Sequence, residues 1–187
     1  MKEEFYTMFG PEPLVKRICG VLYPEEDINY FDWTLSELEK LWGVELVSEP
    51  VPFDRTDYYH DIAPKLTRKF ICTPGLINAG GLADWKHATH ELEEQSRFIF
   101  NNSRDIRAIN LDPGYIDGAR LVLASTKDHA HRIWLRDGIY AEITMRYRFN
   151  SWVSFDYTFP DFKSGVYDKF LSQVRELWLK ERKLNHD

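Results

Sequence analysis

Several features that define common protein classes are missing from this sequence of 187 residues. Only two cysteines occur, Cys19 and Cys72, and no CxxC spacing links them, which excludes a disulfide framework and a zinc knuckle. We therefore expect both to be reduced core residues of a cytoplasmic protein. No apolar run approaches the roughly 18 residues of a membrane span, and the first residues lack the apolar segment of a signal peptide.

An excess of positive charge is also missing. The 24 Lys and Arg residues are outnumbered by 30 Asp and Glu, and the net charge is −6. A nucleic-acid partner needs a basic surface, so the sequence argues against one, although a local basic cleft stays open. The hydrophobic content of 43% excludes a disordered chain. We expect a single domain over 1–187, with 1–13 as an N-terminal arm and 179–187 as a charged tail.

The common nucleotide and hydrolase motifs do not occur. The glycines of "NAGG" (78–81) do not match a P-loop, and no GxGxxG follows the first predicted strand. A GxSxG elbow and an HExxH metal helix are missing as well. Function therefore has to be inferred from how polar residues fall on the predicted elements.

Hydrophobic periodicity predicts an α+β fold. We expect strands at 14–23, 44–53, 65–73, 105–112, 119–125, 131–136 and 139–148. We expect helices at 25–43, 82–100 and 164–178, the last one capped by Ser164. The order through residue 112, where an Asp-Pro-Gly turn should stop the strand, is β-α-β-β-α-β. That is a ferredoxin-like start, which further antiparallel strands and a C-terminal helix extend.

The predicted hairpin in "STKDHAHRIWLRDGIYAEITM" (125–145) concentrates polar residues. Asp137-Gly138 suits a two-residue type I′ turn, which fixes the register so that Ile133 faces Glu142. Arg132 then falls on the mostly apolar face that should pack on the core. The opposite face carries His131, Tyr140, Glu142 and Thr144.

This polar face has two interpretations. Antiparallel sheets commonly leave one face in water, so Glu and His there need no role. If the face is covered instead, imidazole and carboxylate together suit proton transfer or divalent-metal binding. Asn110 and Asp112 share a face of the fourth predicted strand (105–112) and could meet the hairpin cluster if that strand lies near it. The candidates for a catalytic or metal site are His131, Glu142 and Asp112.

Several polar residues outside the strands of the hairpin also have positions that suit a binding site or a solvated surface. Arg68 shares a strand face with apolar residues, so it needs either an internal carboxylate or an anionic ligand as acceptor. Lys127 follows an apolar strand, a suitable place for an anion contact. The loop "RTDYYHD" (55–61) could line a site or simply form a turn. His87 and His90 point away from the inward stripe of their helix, which indicates a solvated face.

Five blocks resemble, in order, a bacterial and archaeal family catalogued as domain of unknown function 4416. They are "TDYY", "NLDPGY", "LVLASTKDHAHRI", "GIYAEITMRY" and "TFPDF", and the resemblance covers residues 14–178. The positions it implies are Thr56, Asp57, Tyr58, Asn110, Asp112, Gly114, Lys127, His131, Arg132, Tyr140, Glu142, Thr144, Pro160 and Asp161. His90 stands where the family usually has Asn, which weakens a metal role there. A "GTP-binding" label carried by some members has no P-loop to support it here.

Two functions remain open from the sequence. The first is an enzyme acting on a small anionic or phosphorylated substrate, with His131 as acid/base or metal ligand and Glu142 or Asp112 assisting it. Its substrate-binding residues would be Lys127, Arg68, Arg132, Asn110, Thr56, Asp57, Tyr58, Tyr140 and Thr144. The cofactor is unknown, and a divalent metal is an open option. The second is a non-catalytic module that binds a small ligand or a protein, including a second copy, through the same polar face. The aromatic connector "WVSFDYTFPDF" (152–162) would suit a partner surface.

Overall fold

The structure is a computed structural model that describes residues 12–54, 59, 61–101 and 107–184. Within these residues the strands are β1 (Leu14–Pro24), β2 (Leu46–Val47), β3 (Val51–Phe53), β4 (Leu66–Cys72), β5 (Ile77–Asn78), β6 (Asn110–Ile116), β7 (Arg120–Ser125), β8 (Arg132–Arg136), β9 (Ile139–Arg148) and β10 (Ser151–Ser154). The α-helices are α1 (Asn29–Trp42), α2 (Leu82–Ser96), α3 (Pro160–Lys163) and α4 (Asp168–Leu184). The predicted combination of helices and antiparallel strands is confirmed.

The strands join into one open antiparallel sheet. Its main path runs β10-β9-β7-β6-β1-β4-β2, with β3 added to β4, β5 to β1 and β8 to β9. Strand β1 is central and pairs along most of its length with both β6 and β4. Its buried pattern agrees with that position, because a central strand has both faces covered.

Helices cover both faces of the sheet. On the back face α1 and α2 pack against strand residues such as Cys19, Ile71 and Leu111. On the front face α4 packs against residues such as Phe70 and Met145. The two cysteines lie on opposite faces, Cys19 at the back and Cys72 at the front, and both are free. Burial raises the pKa of both thiols, which fits unreactive core residues.

Strand β6 differs from its prediction. The predicted stop at Asp112-Pro113-Gly114 is wrong, because the strand runs through these residues to Ile116. The turn lies later, where Asp117 Oδ1 accepts hydrogen bonds from the backbone N–H groups of Ala119 and Arg120. Gly114 allows this course, since a Cβ there would lie only 2.3 Å from the carbonyl oxygen of Val122.

The first part of β6 separates from β7. Their ladder ends at the pair Gly114 and Leu123. Beyond it, Leu111 turns its polar backbone groups to α2: its N–H donates to Glu93 Oε1 at 2.6 Å, and its carbonyl accepts from Lys86 Nζ at 2.5 Å. Pro113 has no N–H to extend the ladder. We call this separation of Asn110–Pro113 from β7 the fork.

The C-terminal segment is more helical than predicted. Ser164 does not cap the final helix, which begins at Asp168 after the short α3. Residues 179–184, predicted as a charged tail, continue α4. Glu181 in this part binds the fully buried Lys16 of β1 at 2.7 Å, and Glu45 binds the same ammonium at 2.5 Å. No helix in the described ranges is both long and apolar enough to cross a membrane.

Candidate functional site

Next to the fork, the described residues leave the front face incompletely covered. Helix α4 packs over one end of the sheet, and loop and connector residues pack near the other. Between them lie half-buried side chains on inner strands, namely Asp112, Leu123, Ser125 and Tyr140. A partly accessible carboxylate beside an apolar side chain, on strands in the middle of a sheet, is an arrangement that ligand sites commonly use.

One polar cluster forms around Arg68. Its Nη1 binds Asp161 of α3, and its Nη2 lies 3.4 Å from Asp112 Oδ2. The Tyr167 hydroxyl donates to the same Asp161 carboxylate at 3.0 Å. Burial alone would lower the pKa of Arg68, but Asp161 and Asp112 outweigh it and raise that pKa. Of the two acceptors considered for Arg68, the structure contains the internal carboxylate.

Tyr59 and Arg107 extend this cluster. The negative charge of Asp112, followed by burial, raises the pKa of Tyr59 and keeps its hydroxyl protonated. Arg107 Nη2 donates to Asp61 Oδ1 at 2.7 Å, and its Nη1 lies 3.4 Å from Asn110 Oδ1. The Asn110 amide nitrogen is buried and has no acceptor among the described residues. The cluster therefore combines carboxylate, amide and phenol groups on the front face.

A second cluster forms around Glu142. Its Oε2 accepts from Arg132 Nε at 2.8 Å and lies 3.2 Å from His131 Nε2. Thr144 Oγ1 lies 3.4 Å from the other carboxylate oxygen. Glu142 is therefore bound on one side by two cationic or donor groups and on the other by a hydroxyl.

The predicted position of Arg132 is wrong. The turn occurs at Asp137-Gly138 as predicted, with both φ angles positive. A bulge at Leu135 then shifts the register, so that Arg132 and not Ile133 faces Glu142. Arg132 consequently joins the polar face, and the grouping of His131, Glu142 and Thr144 survives because His131 lies just before β8.

The aromatic connector orders this second cluster. The Tyr157 ring stacks on His131 with centroids 4.1 Å apart, and its hydroxyl donates to the Ile143 carbonyl at 2.9 Å. Phe155 stacks on the other side of Tyr157 at 5.2 Å. Thr158 donates to the Thr144 carbonyl at 2.7 Å. The imidazole of His131 is thereby fixed in orientation before any ligand is present.

The two clusters do not merge into a metal site. Asp112 and Glu142 point to the same face, but β7 lies between their strands, a separation of about 10 Å at ordinary strand spacing. No three His, Cys, Asp or Glu side chains within the described ranges come together as metal ligands. The Glu142 oxygen nearest His131 already binds the Arg132 guanidinium, which disfavours a cation there. His131, Glu142 and Asp112 thus do not fit one metal ion.

The remaining predicted residues take several positions. Lys127 is exposed, and its carbonyl accepts from Arg132 at 3.0 Å. Tyr140 is half-buried and pairs with Ser125 of β7. Thr56, Asp57 and Tyr58 lie outside the described residues. His87 and His90 are exposed on α2, as their helical position predicted.

Several residues of the site were not among the candidates. Asp161, Tyr167 and Arg107 complete the Arg68 cluster, and Tyr157 orders the second cluster. Asp161 belongs to the "TFPDF" block of the family resemblance, a signal that could have placed it among them. The others join the site through long-range packing that strand and helix patterns do not specify.

A separate cavity lies away from these clusters, on the outside of α1. It has a volume of about 380 Å³ and is lined by Asp32, Leu35, Ser36, Glu39 and Val44. None of these residues is buried, so none supplies the fixed polar group that orients a ligand. We do not assign it a function.

The fold and the two clusters define an α+β protein whose open antiparallel sheet carries polar groups on its partly covered front face. The chain belongs to the family described as Domain of unknown function (DUF4416), whose model matches residues 13–178. No curated protein and no solved structure is detectably similar to the chain.

Proposed function

We propose that this protein binds a small molecule on the front face beside the fork, with the Asp112 carboxylate as the principal polar contact. The half-buried Asp112 and Leu123 on inner strands carry the proposal, because a partly accessible carboxylate beside an apolar side chain is how small-molecule sites are commonly lined. Tyr59 on one side and Tyr140 on the other would flank the ligand. The fork provides the space, since β6 and β7 do not pair there.

The charges around Asp112 favour a ligand that donates hydrogen bonds. Arg68 contacts both Asp112 and Asp161. One guanidinium therefore neutralises only one of the two carboxylates, and the group of three side chains keeps a net charge of about −1. Arg132 and Arg107 likewise bind Glu142 and Asp61. Of the predicted anion contacts, Arg68 and Arg132 are therefore already paired with carboxylates, and Lys127 is exposed. A neutral or cationic molecule with hydroxyl or amino groups suits this site better than a phosphate.

Thermal unfolding in the presence of a panel of sugars, nucleosides and amines tests this proposal. A ligand that binds only the folded state raises Tm, and the rise grows with the logarithm of the ratio of ligand concentration to Kd. The variant Asp112→Asn should lose the rise, while Asp128→Asn, an exposed carboxylate outside the clusters, should keep it. Equal shifts in both variants would place the binding elsewhere. No shift with any compound class would leave the fork without a ligand.

An enzyme is the second candidate, supported by the contact between His131 and Glu142. A carboxylate that orients an imidazole is a common arrangement for proton transfer. Stacking on Tyr157 would keep the ring in place during such a step. Any compound that binds should be followed by NMR for chemical change. Turnover that stops in Glu142→Gln while binding persists would favour the enzyme, and unchanged compound would favour the binding protein.

We also propose that residues 14–116 form a ferredoxin-like unit. The strand order β6-β1-β4-β2 supports this, because α1 then connects β1 to β2 with β4 between them. Helix α2 likewise precedes β6, which is separated from β4 by β1. An experimental structure with another strand order would contradict the assignment.

A cytosolic location is proposed from the two thiols. Cys19 and Cys72 are free although both are buried in the core. Cysteines that persist without disulfides are typical of reducing compartments. Thiol titration of the denatured protein, isolated without reductant, should find two free thiols. A disulfide-linked species would contradict the proposed location.

A further inference from the structure

Arg17 is held on the back face between two tryptophans. Its guanidinium carbon lies 4.2 Å from the centre of the Trp42 ring and 5.4 Å from that of Trp85. It forms no salt bridge and no side-chain hydrogen bond with the described residues, and its Nε is buried without an acceptor. In this it differs from Arg68 and Arg132, which each bind a carboxylate.

The surroundings of Arg17 contain donors that also lack acceptors. Thr73 lies next to it, one residue beyond the end of β4, and its N–H donates to the Arg17 carbonyl at 3.0 Å. The Thr73 hydroxyl is fully buried and has no partner among the described residues. A buried polar atom without a partner in a folded protein calls for an explanation, and a bound ion is one of the usual ones.

No carboxylate of the described residues pairs with the charge of Arg17. Burial lowers its pKa to about 10, and no carboxylate of the described residues raises it again. The guanidinium stays charged at neutral pH, in a partly dry setting that an anion would make more favourable. Stacking on a ring covers the flat face of a guanidinium and leaves its edge of N–H groups for a ligand.

We propose that Arg17 binds a small oxyanion, a carboxylate or a phosphate group, between the end of α1 and the start of α2. The edge of the guanidinium contacts two oxygens, as arginine does in bidentate pairs. Trp42 and Trp85 hold the guanidinium in position. This site lies on the opposite face of the sheet from Asp112, so its test does not depend on the outcome for the proposed function.

The indole N–H signals of the six tryptophans test the proposal in the full chain. Inorganic phosphate and, separately, acetate are titrated at constant ionic strength, with sodium chloride as the balancing salt. The signals of Trp42 and Trp85, assigned with Trp42→Phe and Trp85→Phe, should shift and saturate with at least one anion. The other four should stay in place. Saturation with phosphate alone or acetate alone identifies which oxyanion the site prefers.

Variants of Arg17 test whether this residue causes the saturable shift of the indole signals. Arg17→Gln should abolish the saturable shift, and Arg17→Lys should weaken it about tenfold, because lysine lacks the fork of donors. Arg148→Gln should change nothing, since Arg148 is also stacked on an aromatic ring, Phe149, but is exposed. If Arg17→Gln does not fold, the titration of the unsubstituted protein alone decides whether an oxyanion binds beside Trp42 and Trp85. Absence of saturation with both anions, or the same shift in Arg17→Gln, would overturn the proposal.

Discussion

Arg68 of β4 and Asp161 of α3 form an ion pair that joins positions 93 residues apart in the chain. Both side chains are largely buried, at 4% and 11% exposure. This pair holds the C-terminal connector against the front face and determines which part of that face stays open. It also fixes Arg68 in contact with Asp112, the residue on which the proposed ligand site depends.

Loss of Asp161 should destabilise the protein strongly. Asp161→Ala leaves the Arg68 guanidinium buried with only the more distant Asp112, and breaking a buried pair typically costs about 3–5 kcal/mol. The free energy of unfolding measured with urea should fall by an amount in that range. Asp156→Ala, at an exposed position of the same connector, should change it by less than about 0.5 kcal/mol. Similar values for both variants would mean that the pair contributes little.

The bond between Glu93 and Leu111 should make stability depend on pH. Burial alone would raise the pKa of Glu93, but Lys86, His90 and the Leu111 amide lower it below the ordinary 4.5. A depressed pKa contributes stability above pH 4.5 that is lost as pH falls through the folded-state pKa. Glu93→Gln should therefore be less stable at neutral pH and lose less on acidification.

Unfolding by urea at several pH values checks this dependence. Glu91→Gln, an exposed position on the same helix, serves as the matched control and should follow the parent. If Glu93→Gln keeps the full acid dependence of the parent, the titrating group is another one. The same measurement tests whether the fork depends on α2, because Glu93 replaces a strand partner of Leu111.

The two acids around Lys16 should act non-additively. Glu45→Gln and Glu181→Gln each leave one carboxylate on the buried ammonium, and each should cost about 1 kcal/mol. The double variant should cost about 3 kcal/mol or more, because Lys16 is then buried without a counter-charge.

A third substitution sharpens that double-mutant cycle. Lys16→Met should destabilise the parent but stabilise the double variant, since it removes a buried charge that has lost both partners. Urea unfolding of the set gives the coupling energy directly. Additive single effects, with Lys16→Met destabilising in both backgrounds, would show that the ammonium is hydrated or paired in another way.

Gly114 should tolerate no side chain. A Cβ at this position would lie 2.3 Å from the Val122 carbonyl and 2.6 Å from Leu123 Cδ2, so β6 and β7 would have to separate further. Gly114→Ala should lower the free energy of unfolding by about 3 kcal/mol, the upper end of overpacking effects. Gly80→Ala, which meets only a movable Asn78 side chain, should cost less than about 1 kcal/mol. A decrease in the free energy of unfolding of less than about 1 kcal/mol in Gly114→Ala would argue against close packing at the fork.

Local patterns in the sequence predicted most elements and the turn at Asp137-Gly138, because periodicity and turn chemistry are short-range properties. They could not predict the bulge at Leu135, which depends on how β8 packs beside β9. That bulge moved Arg132 onto the polar face. The grouping of His131 with Glu142 was predicted correctly for the residues but through a register that does not occur.

The acid that pairs with Arg68 could not be predicted from the sequence. Alternation placed Arg68 on a covered face, and the need for an acceptor followed from its charge. Which acid would supply that acceptor depended on how the connector returns to the sheet, a non-local property. The prediction at Pro113-Gly114 failed for a related reason: the two residues resemble a turn, yet β6 continues through them because it stays paired with β1 there.

A crystal structure with the most strongly stabilising sugar, nucleoside or amine soaked in would locate the ligand site. We expect the compound to lie beside the fork, with a hydroxyl or amino group within hydrogen-bond distance of the Asp112 carboxylate and an apolar part against Leu123. A compound bound elsewhere, with the fork region unchanged, would contradict the claim that this face of the sheet is the ligand site.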